Sequence, residues 1–303
     1  MNGVLNYYKP SGITSHDAVN IVRKIMNTKK VGHIGTLDPM ACGVLPMLVG
    51  NATRISEYLI EHDKEYIAEL TLGLRTDTYD KEGKPIAQSD VTVTSEQIVD
   101  VFKQFEGQIK QIPPMFSSKK INGKKLYELA RMGKEIDRKP NIVDIKKLNI
   151  MNIIDNKKII FRVKCSKGTY IRSLCDDIGL KLRTFGYMSF LQRVQVSNFK
   201  IENSINDDLL KDLKQKDTKK DFLIPIDKAI DYMDSINVNE EYFKKLCNGN
   251  SIPIKQRQNF IPNTNLRVYS NHIFVGIGQI DIENNNAILK MKKVLLGDNE
   301  WIL

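Results

Sequence analysis

The chain has 303 residues, 41% of them hydrophobic and 27% charged, which suits a catalytic domain with a small companion domain. Lys and Arg outnumber Asp and Glu by 46 to 36, and the net charge of +10 favours a polyanionic partner such as RNA, although a basic surface kept for solubility has the same composition. The four cysteines show no C-x-x-C spacing, which argues against a disulfide framework and a structural zinc site.

The first predicted element is an amphipathic helix that begins after Thr14. Residues 14–17 resemble a capping box in which Asp17 replaces the usual Glu or Gln. Apolar residues follow at helical spacing, namely Ala18, Ile21, Val22, Ile25 and Met26. Residues 31–50 lack such a period and contain four glycines and two prolines, so we expect a loop with short extended pieces there.

The middle of the chain alternates predicted strands and helices. Residues 66–72 and 159–165 alternate apolar and polar side chains, which indicates half-buried strands. Helices are predicted around residues 98–105, ended by Gly107, and around 171–182. Residues 111–140 are basic and bounded by prolines, so we interpret them as a projecting segment with a helix at 126–132.

The C-terminal part predicts a change of architecture. Residues 203–221 are polar and poor in apolar side chains, which is typical of a boundary. Short strand patterns with turn signals follow from residue 236 onward. Alternating strands and helices in the first 200 residues therefore indicate a mixed α/β or α+β domain, followed by a small β-rich domain.

Asp38 is the first candidate for chemistry. It lies in a glycine-containing segment and precedes Pro39, which holds it in an extended or turn conformation. A carboxylate on such a loop can act as a nucleophile or a base. The alternative is that Asp-Pro only begins a turn, and the residues alone leave both interpretations open.

Arg172 is the second candidate. Thr169 has the character of a helix N-cap, which would put Arg172 at the third helical position. A cation there opposes the helix dipole, so an anion in front of the helix end, such as Asp38 or an RNA phosphate, would explain it. A solvated arginine at a frayed helix end is the alternative.

Other residues carry weaker signals. Tyr66 opens a predicted strand and could be a core residue. His33 has no second ligand nearby, so we expect no metal. A basic run with interleaved aromatic residues fits nucleic-acid contact, although such runs are usually solvated; it comprises Phe116, Ser117, Ser118, Lys119, Lys120, Lys124, Lys125 and Tyr127.

An ordered set of motifs resembles the TruB-type tRNA pseudouridine synthases, which modify position 55 in the T-loop. The set covers most of residues 3–230 in the order expected of that family. It implies the α+β pseudouridine synthase fold with a mixed β-sheet flanked by helices, a catalytic domain at 1–230 and a small β-rich domain at 235–303. Its segments are YYKPSGITSHDAV, GHIGTLDPMACGVLPMLVGNATRIS, DKEYIAELTLGLRTDTYDKEG, PPMFSSKKINGKKLYELARMGKEI, CSKGTYIRSL and LIPIDKAI.

The resemblance implies roles for the candidate residues. Asp38 would be the nucleophile, Arg172 its ion-pair partner and Tyr66 the proton acceptor beside the base. Tyr170 and Leu191 would line the uracil pocket, with His33 inserted into the RNA where the flipped base left. Three further roles follow from the resemblance. Lys9 and Pro10 would brace the catalytic loop, residues 111–140 would form an RNA-gripping thumb, and residues 235–303 would form a PUA-like terminal domain.

The resemblance also implies that the protein needs no metal, cofactor, membrane or protein partner. Isomerisation transfers no group and oxidises nothing, so no metal or cofactor is expected. We expect a cytoplasmic monomer that acts on tRNA and needs no membrane or protein partner; the N-terminus lacks a signal-peptide core and no apolar run reaches ~18 residues.

Two alternatives remain at this point. A guide-RNA-dependent relative would need protein partners, and a non-catalytic RNA chaperone would not need Asp38. The sequence also departs from the family around Leu191, where Val194 stands in place of the usual threonine, and at Ile34, where a small residue is usual. These departures concern the shape of the pocket.

Overall fold

The computed structural model describes residues 1–117, 119–121, 123–215, 218–254, 261–283 and 286–296. The predicted C-terminal domain extends to residue 303, and its last seven positions lie outside these ranges. So does Ser118 of the predicted basic run.

Strands make up most of the described secondary structure. In chain order they are β1 (Gly3–Lys9), β2 (Val31–His33), β3 (Cys42–Val49), β4 (Lys64–Leu72), β5 (Leu74–Thr76), β6 (Pro85–Gln88), β7 (Gly107–Gln111), β8 (Lys120–Ile121), β9 (Lys124–Lys125), β10 (Asn141–Ile154), β11 (Lys158–Cys165), β12 (Gly186–Val196), β13 (Phe199–Lys200), β14 (Ser235–Val238), β15 (Ile252–Ile254), β16 (Asn265–Ser270), β17 (Ile273–Glu283) and β18 (Asn286–Val294).

The helices are shorter and connect or cover the strands. They are α1 (Ser15–Met26), α2 (Ser56–Ile60), α3 (Ser95–Lys103), α4 (Leu126–Arg131), α5 (Ile171–Lys181), α6 (Asp207–Gln215), α7 (Ile226–Ala229) and α8 (Phe243–Cys247). Short 3-10 turns also occur, at Gly50–Ile55, Ile201–Asn203, Lys219–Phe222 and Glu240–Tyr242.

A nine-stranded mixed sheet organises the larger part of the described chain. Its main path runs β1-β3-β12-β4-β11-β10-β7, with β2 and β13 paired at the side. The β12–β3 pair is parallel and the other pairs are antiparallel. A second, five-stranded sheet has the order β14-β16-β17-β18-β15. The predicted α+β class and the β-rich C-terminal region are therefore confirmed.

Strand β3 lies inside the molecule with both faces covered. Leu45, Met47 and Val49 belong to one hydrophobic cluster, while Val44 and Leu48 belong to another. All eight residues of β3 are buried. The prediction of a loop over residues 31–50 is wrong here, because a strand buried on both faces shows an apolar run and not an alternation.

The second hydrophobic cluster joins the two sheets. It contains Ile277 and Leu295 of the C-terminal part together with residues of β1 and β3. The Asn51 side chain donates to the Leu296 carbonyl at 2.9 Å, and Arg54 donates to the Val294 carbonyl at 2.5 Å. The five-stranded sheet is thus packed against the larger one.

Local sequence signals account for the termini of two helices. Helix α1 has Thr14 as its N-cap, and the Thr14–Asp17 capping box is present. Helix α3 has the same arrangement with Thr94 and Gln97, and ends before the predicted Gly107, which instead begins β7. The alternating residues 66–72 and 159–165 lie in β4 and β11, as predicted.

Residues 111–140 leave the sheet and return to it at one point. Gln111 at the end of β7 pairs in register with Asn141 at the start of β10. Between them lie the short β8–β9 pair and helix α4, the latter close to the predicted 126–132. We call residues 112–140 the thumb segment. The polar stretch 203–221 contains helix α6, whose Leu210 is buried in the main core.

Candidate active site

Asp38 lies on the loop between β2 and β3, and the loop is fastened on both sides of it. The buried Ser15 hydroxyl accepts from the Leu37 amide at 2.9 Å. The Pro39 carbonyl accepts from the Gly12 amide at 2.9 Å and from the Lys9 ammonium at 3.2 Å. The Asp38 side chain keeps 30% of its surface exposed. A rigid backbone therefore presents a reachable carboxylate.

Lys9 occupies the position that the resemblance assigned to a brace. Its side chain is fully buried and also donates to the carbonyls of Pro10 and Ile13, at 2.8 and 2.7 Å. Burial lowers the pKa of Lys9 to about 8. All three acceptors are neutral, so this cation stabilises backbone geometry and has no carboxylate of its own.

Arg172 meets Asp38 in a two-point ion pair, although they are far apart in sequence. The Arg172 Nε lies 2.9 Å from Asp38 Oδ2, and its Nη2 lies 2.9 Å from Oδ1. The guanidinium is buried and donates also to the carbonyls of Phe116, at 2.9 Å, and Thr78, at 3.4 Å. Bidentate pairing fixes direction as well as distance, so the carboxylate has one orientation.

A second carboxylate completes this network, and the sequence interpretation missed it. Asp80 is buried, and its Oδ2 lies 3.5 Å from Arg172 Nη1. Its Oδ1 accepts from the Thr78 hydroxyl at 2.6 Å and from the Glu82 amide at 3.0 Å. Burial raises the pKa of Asp80, while Arg172 and these hydrogen bonds oppose that rise. The Arg172 guanidinium therefore contacts the carboxylates of both Asp38 and Asp80.

Helix α5 places Arg172 one position earlier than predicted. Its N-cap is Tyr170 and not Thr169, so Arg172 is the second helical residue. The Gln111 side chain explains the shift, because it accepts from the Tyr170 amide at 2.7 Å and donates to the Tyr170 carbonyl at 3.0 Å. Gln111 is 1% exposed. The end of β7 thus fixes the start of the helix that carries Arg172.

Tyr66 lies on β4 with its ring buried in the main core. Burial raises its pKa to about 12, and the charge of Asp38 acts in the same direction. The positive charge of Arg193, the register partner of Tyr66 on β12, opposes both effects. The negative charge of Asp38 therefore acts on the Tyr66 hydroxyl.

The remaining predicted residues lie on β12, at the start of α5 and at the end of β2. Leu191 is buried on β12 and pairs with Ala68, two residues along β4 from Tyr66. Tyr170 is half-buried at the start of α5. His33 ends β2, and its buried Nδ1 has no hydrogen-bond partner among the described residues. Burial and the charge of Arg193 lower the pKa of His33.

The described residues offer neither a metal-binding cluster nor a membrane-spanning helix. No group of three or more His, Cys, Asp or Glu side chains could hold a metal ion in the ranges given above. Within the same ranges, no helix is long and apolar enough to cross a membrane.

The fold is that of the pseudouridine synthases. A chain described as belonging to a Cbf5-Nop10-Gar1 complex superimposes with a TM-score of 0.75 at 26% identity, over 98% of this chain and 86% of that one. A chain from an H/ACA RNP bound to a substrate RNA containing 2'-deoxyuridine gives a TM-score of 0.74 at 25% identity, over 97% and 85%.

Sequence comparison shows which family of pseudouridine synthases the chain matches. The N-terminal domain of TruB family pseudouridylate synthases matches residues 23–171, and two TruB C-terminal domain descriptions match residues 172–235 and 235–287. A relative from Alkaliphilus oremlandii, named tRNA pseudouridine synthase B, is 45% identical over 94% of this chain and 95% of its own length. A relative of that name from Clostridium novyi is 45% identical over 98% and 100%.

The chain therefore belongs to the TruB family of pseudouridylate synthases. It is an isomerase that converts uridine in tRNA to pseudouridine. The resemblance given by the sequence motifs is confirmed, and so is the expectation of an RNA-modifying enzyme. The alternative of a non-catalytic RNA chaperone is wrong for this chain.

Proposed function

We propose that the enzyme isomerises the uridine at position 55 in the T-loop of tRNA, with Asp38 as its nucleophile. The observation that carries this proposal is the two-point pairing of Asp38 with the buried Arg172. The pairing aims a partly exposed carboxylate in one direction. A nucleophile needs both exposure and orientation.

The reaction conserves every atom of the uridine. The C1′–N1 bond breaks, the uracil turns and C1′ bonds to C5. The hydrogen of C5 leaves as a proton, its electron pair restores the ring double bond, and N1 gains a proton. Asp38 forms the covalent adduct that holds the fragment during this exchange and is released unchanged. No oxidant, reductant or group donor enters the balance.

The residues around Asp38 supply the other steps of the proposed mechanism. The target uridine leaves the RNA stack to reach the carboxylate, and Tyr170 and Leu191 line the uracil pocket. His33 fills the gap left in the RNA. Tyr66 accepts the C5 proton. Support comes from the elements that carry them: β2 and β12 both pair with β3, which follows the Asp38 loop, β4 pairs with β12, and Tyr170 caps the helix of Arg172.

The proposal also assigns the two basic regions. The thumb segment grips the T-stem loop, and a PUA-like domain at 235–303 adds RNA contacts to the catalytic domain at 1–230. The enzyme works as a monomer in the cytoplasm and requires no protein partner. The cysteines support a reducing compartment, since Cys42, Cys165, Cys175 and Cys247 are all buried and free.

Purified protein is expected to convert one uridine per tRNA in the presence of a chelator. The substrate is an unmodified tRNA transcript, and product is measured by mapping pseudouridine along the chain. A transcript with cytidine at position 55 is the matched control and should give no product. Conversion elsewhere, or only after guide RNA and accessory proteins are added, would contradict the proposal.

The salt dependence of tRNA binding is expected to fall when thumb lysines are removed. Lys120 and Lys124 are both exposed in the thumb segment. Replacing both with Ala should flatten the slope of log Kd against log salt by about one unit for each lysine that contacts a phosphate. Filter binding over a salt series measures this slope.

Lys103 and Lys157 form a control pair outside the thumb segment. Lys103 ends α3, and Lys157 lies in the turn after β10, whose 14 residues begin at the thumb base. Replacing these two with Ala removes the same charge and should leave the slope in place. Equal slopes for the two double variants would mean that the thumb lysines are only solvated.

A further inference from the structure

Arg193 is a buried cation that the mechanism above does not use. It is 1% exposed and heads the fully buried side chains by volume. Its donors reach backbone carbonyls only: Nε to Val44 at 2.7 Å, and Nη2 to Gly35 at 2.9 Å and to Ile34 at 3.5 Å. Val44 lies in β3, whereas Ile34 and Gly35 begin the loop of Asp38. One side chain thus ties that loop to the sheet.

The same guanidinium faces Tyr66. Arg193 of β12 and Tyr66 of β4 are register partners in an antiparallel pair, so their side chains lie on one face of the sheet. The positive charge of Arg193 acts on the Tyr66 hydroxyl and works against the rise of its pKa. Arg193 therefore bonds to the loop that presents Asp38 and lies beside the proposed proton acceptor.

The surroundings of Arg193 make its charge unusual. The charge of Arg193 acts on Lys9, Lys64 and His33, and contributes to lowering the pKa of each. Asp38 and Cys165 are the other groups that act on Tyr66. No ion pair to Arg193 occurs among the described residues. A buried cation without a carboxylate partner is costly, and packing alone would be served by an apolar side chain.

We propose that Arg193 is a positioning residue for pseudouridine formation, which holds the Asp38 loop and the Tyr66 hydroxyl in one geometry and faces the negative charge of ionised Tyr66. This inference rests on the proposed role of Tyr66 as the acceptor of the C5 proton. In that step the phenolate oxygen of Tyr66 takes the proton and becomes a neutral phenol. Arg193 keeps its own protons throughout.

The sign of the electrostatic effect follows from the groups present. Burial raises the pKa of Tyr66 to about 12, and Arg193 works against that rise. Removing the Arg193 charge would therefore raise the pKa of Tyr66 further. Less phenolate would then exist at every pH below that pKa, and the single-turnover rate would fall by the same factor across the accessible pH range.

Two variants separate the charge from the geometry. Arg193→Met keeps much of the volume and removes the charge, and we expect a single-turnover rate ~10²-fold lower, as for a misplaced catalytic group. Arg193→Lys keeps the charge but has one compact donor and not a planar fork, and its rate should lie between those of Arg193→Met and the wild type. The Kd for tRNA should be unchanged in both.

A chemical rescue distinguishes positioning of Tyr66 from a merely structural role. Difluorotyrosine placed at position 66 has a more acidic phenol. We expect it to raise the rate of Arg193→Met by a larger factor than that of the wild type or Arg193→Lys. A structural role predicts a rate loss that follows the loss of folded protein in thermal melting, with equal fluorotyrosine factors in all three backgrounds.

Each outcome decides the inference. Wild-type rates in Arg193→Met or Arg193→Lys, or equal fluorotyrosine factors, would overturn it. If Arg193→Met does not fold, Arg193→Gln, which also lacks the charge, replaces it, and the same larger fluorotyrosine factor is expected; a factor equal to that of the wild type would overturn the inference. The wild-type enzyme is assayed alongside, because its failure to modify position 55 would reject the proposed function and not the role of Arg193.

Discussion

The Asp38→Asn enzyme is expected to bind tRNA normally and to form no pseudouridine. The substitution keeps the shape of the side chain and removes its negative charge. Asn still accepts a hydrogen bond from Arg172, which also retains Asp80 as a partner at 3.5 Å. The loop should therefore keep its fold, since it contributes only backbone atoms to its bonds with the side chains of Ser15 and Lys9.

The size of the effect separates two roles for Asp38. If Asp38 only begins a turn, Asn serves almost as well, and turnover persists. If Asp38 is the nucleophile, the single-turnover rate should drop by on the order of 10⁴-fold or more. RNA affinity should survive, because it depends on phosphate and shape contacts.

The measurement pairs a binding assay with single turnover at excess enzyme. Asp155→Asn is a matched control, since Asp155 lies in the β10–β11 turn with a φ of 51° that Asn also adopts. It should leave both quantities unchanged. Appreciable product from Asp38→Asn, once mass spectrometry has excluded deamidation back to Asp, would contradict the nucleophile assignment.

Arg172→Leu is expected to lower the single-turnover rate by about 10²- to 10³-fold, the scale for losing a charged group that positions a reacting atom. Leu leaves Asp38 without either of its two bonds to the guanidinium. Arg172→Lys retains the charge but not the bidentate geometry, so its rate should recover only in part. A wild-type rate in Arg172→Leu would show that the ion pair does not support the chemistry.

The same variant should lose stability in a pH-dependent way. Arg172 lowers the pKa of the buried Asp80, so its removal raises that pKa further. The folded state then binds more protons than the unfolded state between the ordinary pKa of an aspartate and the raised value, and stability falls as pH rises through that window. Urea unfolding at several pH values measures this.

A second substitution tests that explanation. Adding Asp80→Asn to Arg172→Leu removes the unpaired buried carboxylate and should restore part of the free energy of unfolding. It should not restore activity, because Asp38 still lacks its partner. If stability does not recover, the cost of Arg172→Leu arises from lost packing and not from Asp80.

The local elements were predictable because their signals are local. The capping box at Thr14 determines where α1 begins, and the alternation in residues 66–72 produces β4. Strand β3 was missed because both its faces are buried. The start of α5 was placed one residue early because its N-cap depends on Gln111, a residue 59 positions away.

The site was only partly predictable for the same reason. Asp38 and Arg172 stand out by themselves, as an Asp-Pro on a glycine loop and a cation at a helix start. Asp80 and Arg193 are harder to recognise, since the ion-pair partner of Asp80 and the loop carbonyls that Arg193 contacts are distant in sequence. For Arg193 one signal existed: it lies two residues after Leu191 on the inward face of a strand, where a charge is unexpected.

The hairpin formed by β7 and β10 gives the thumb segment an unusual freedom. Gln111 and Asn141 close it as a register pair, so the chain between them is a loop in the polymer sense, with its ends fixed whatever its length. Each doubling of such a loop costs only about 0.6 kcal/mol in closure entropy. Insertions or deletions within it would therefore leave the sheet intact, and the RNA grip can diversify independently of the fold. The first residues of the segment are an exception, because the Phe116 carbonyl accepts from Arg172 and the Ile112 carbonyl from Ser173, which ties them to the helix that carries Arg172.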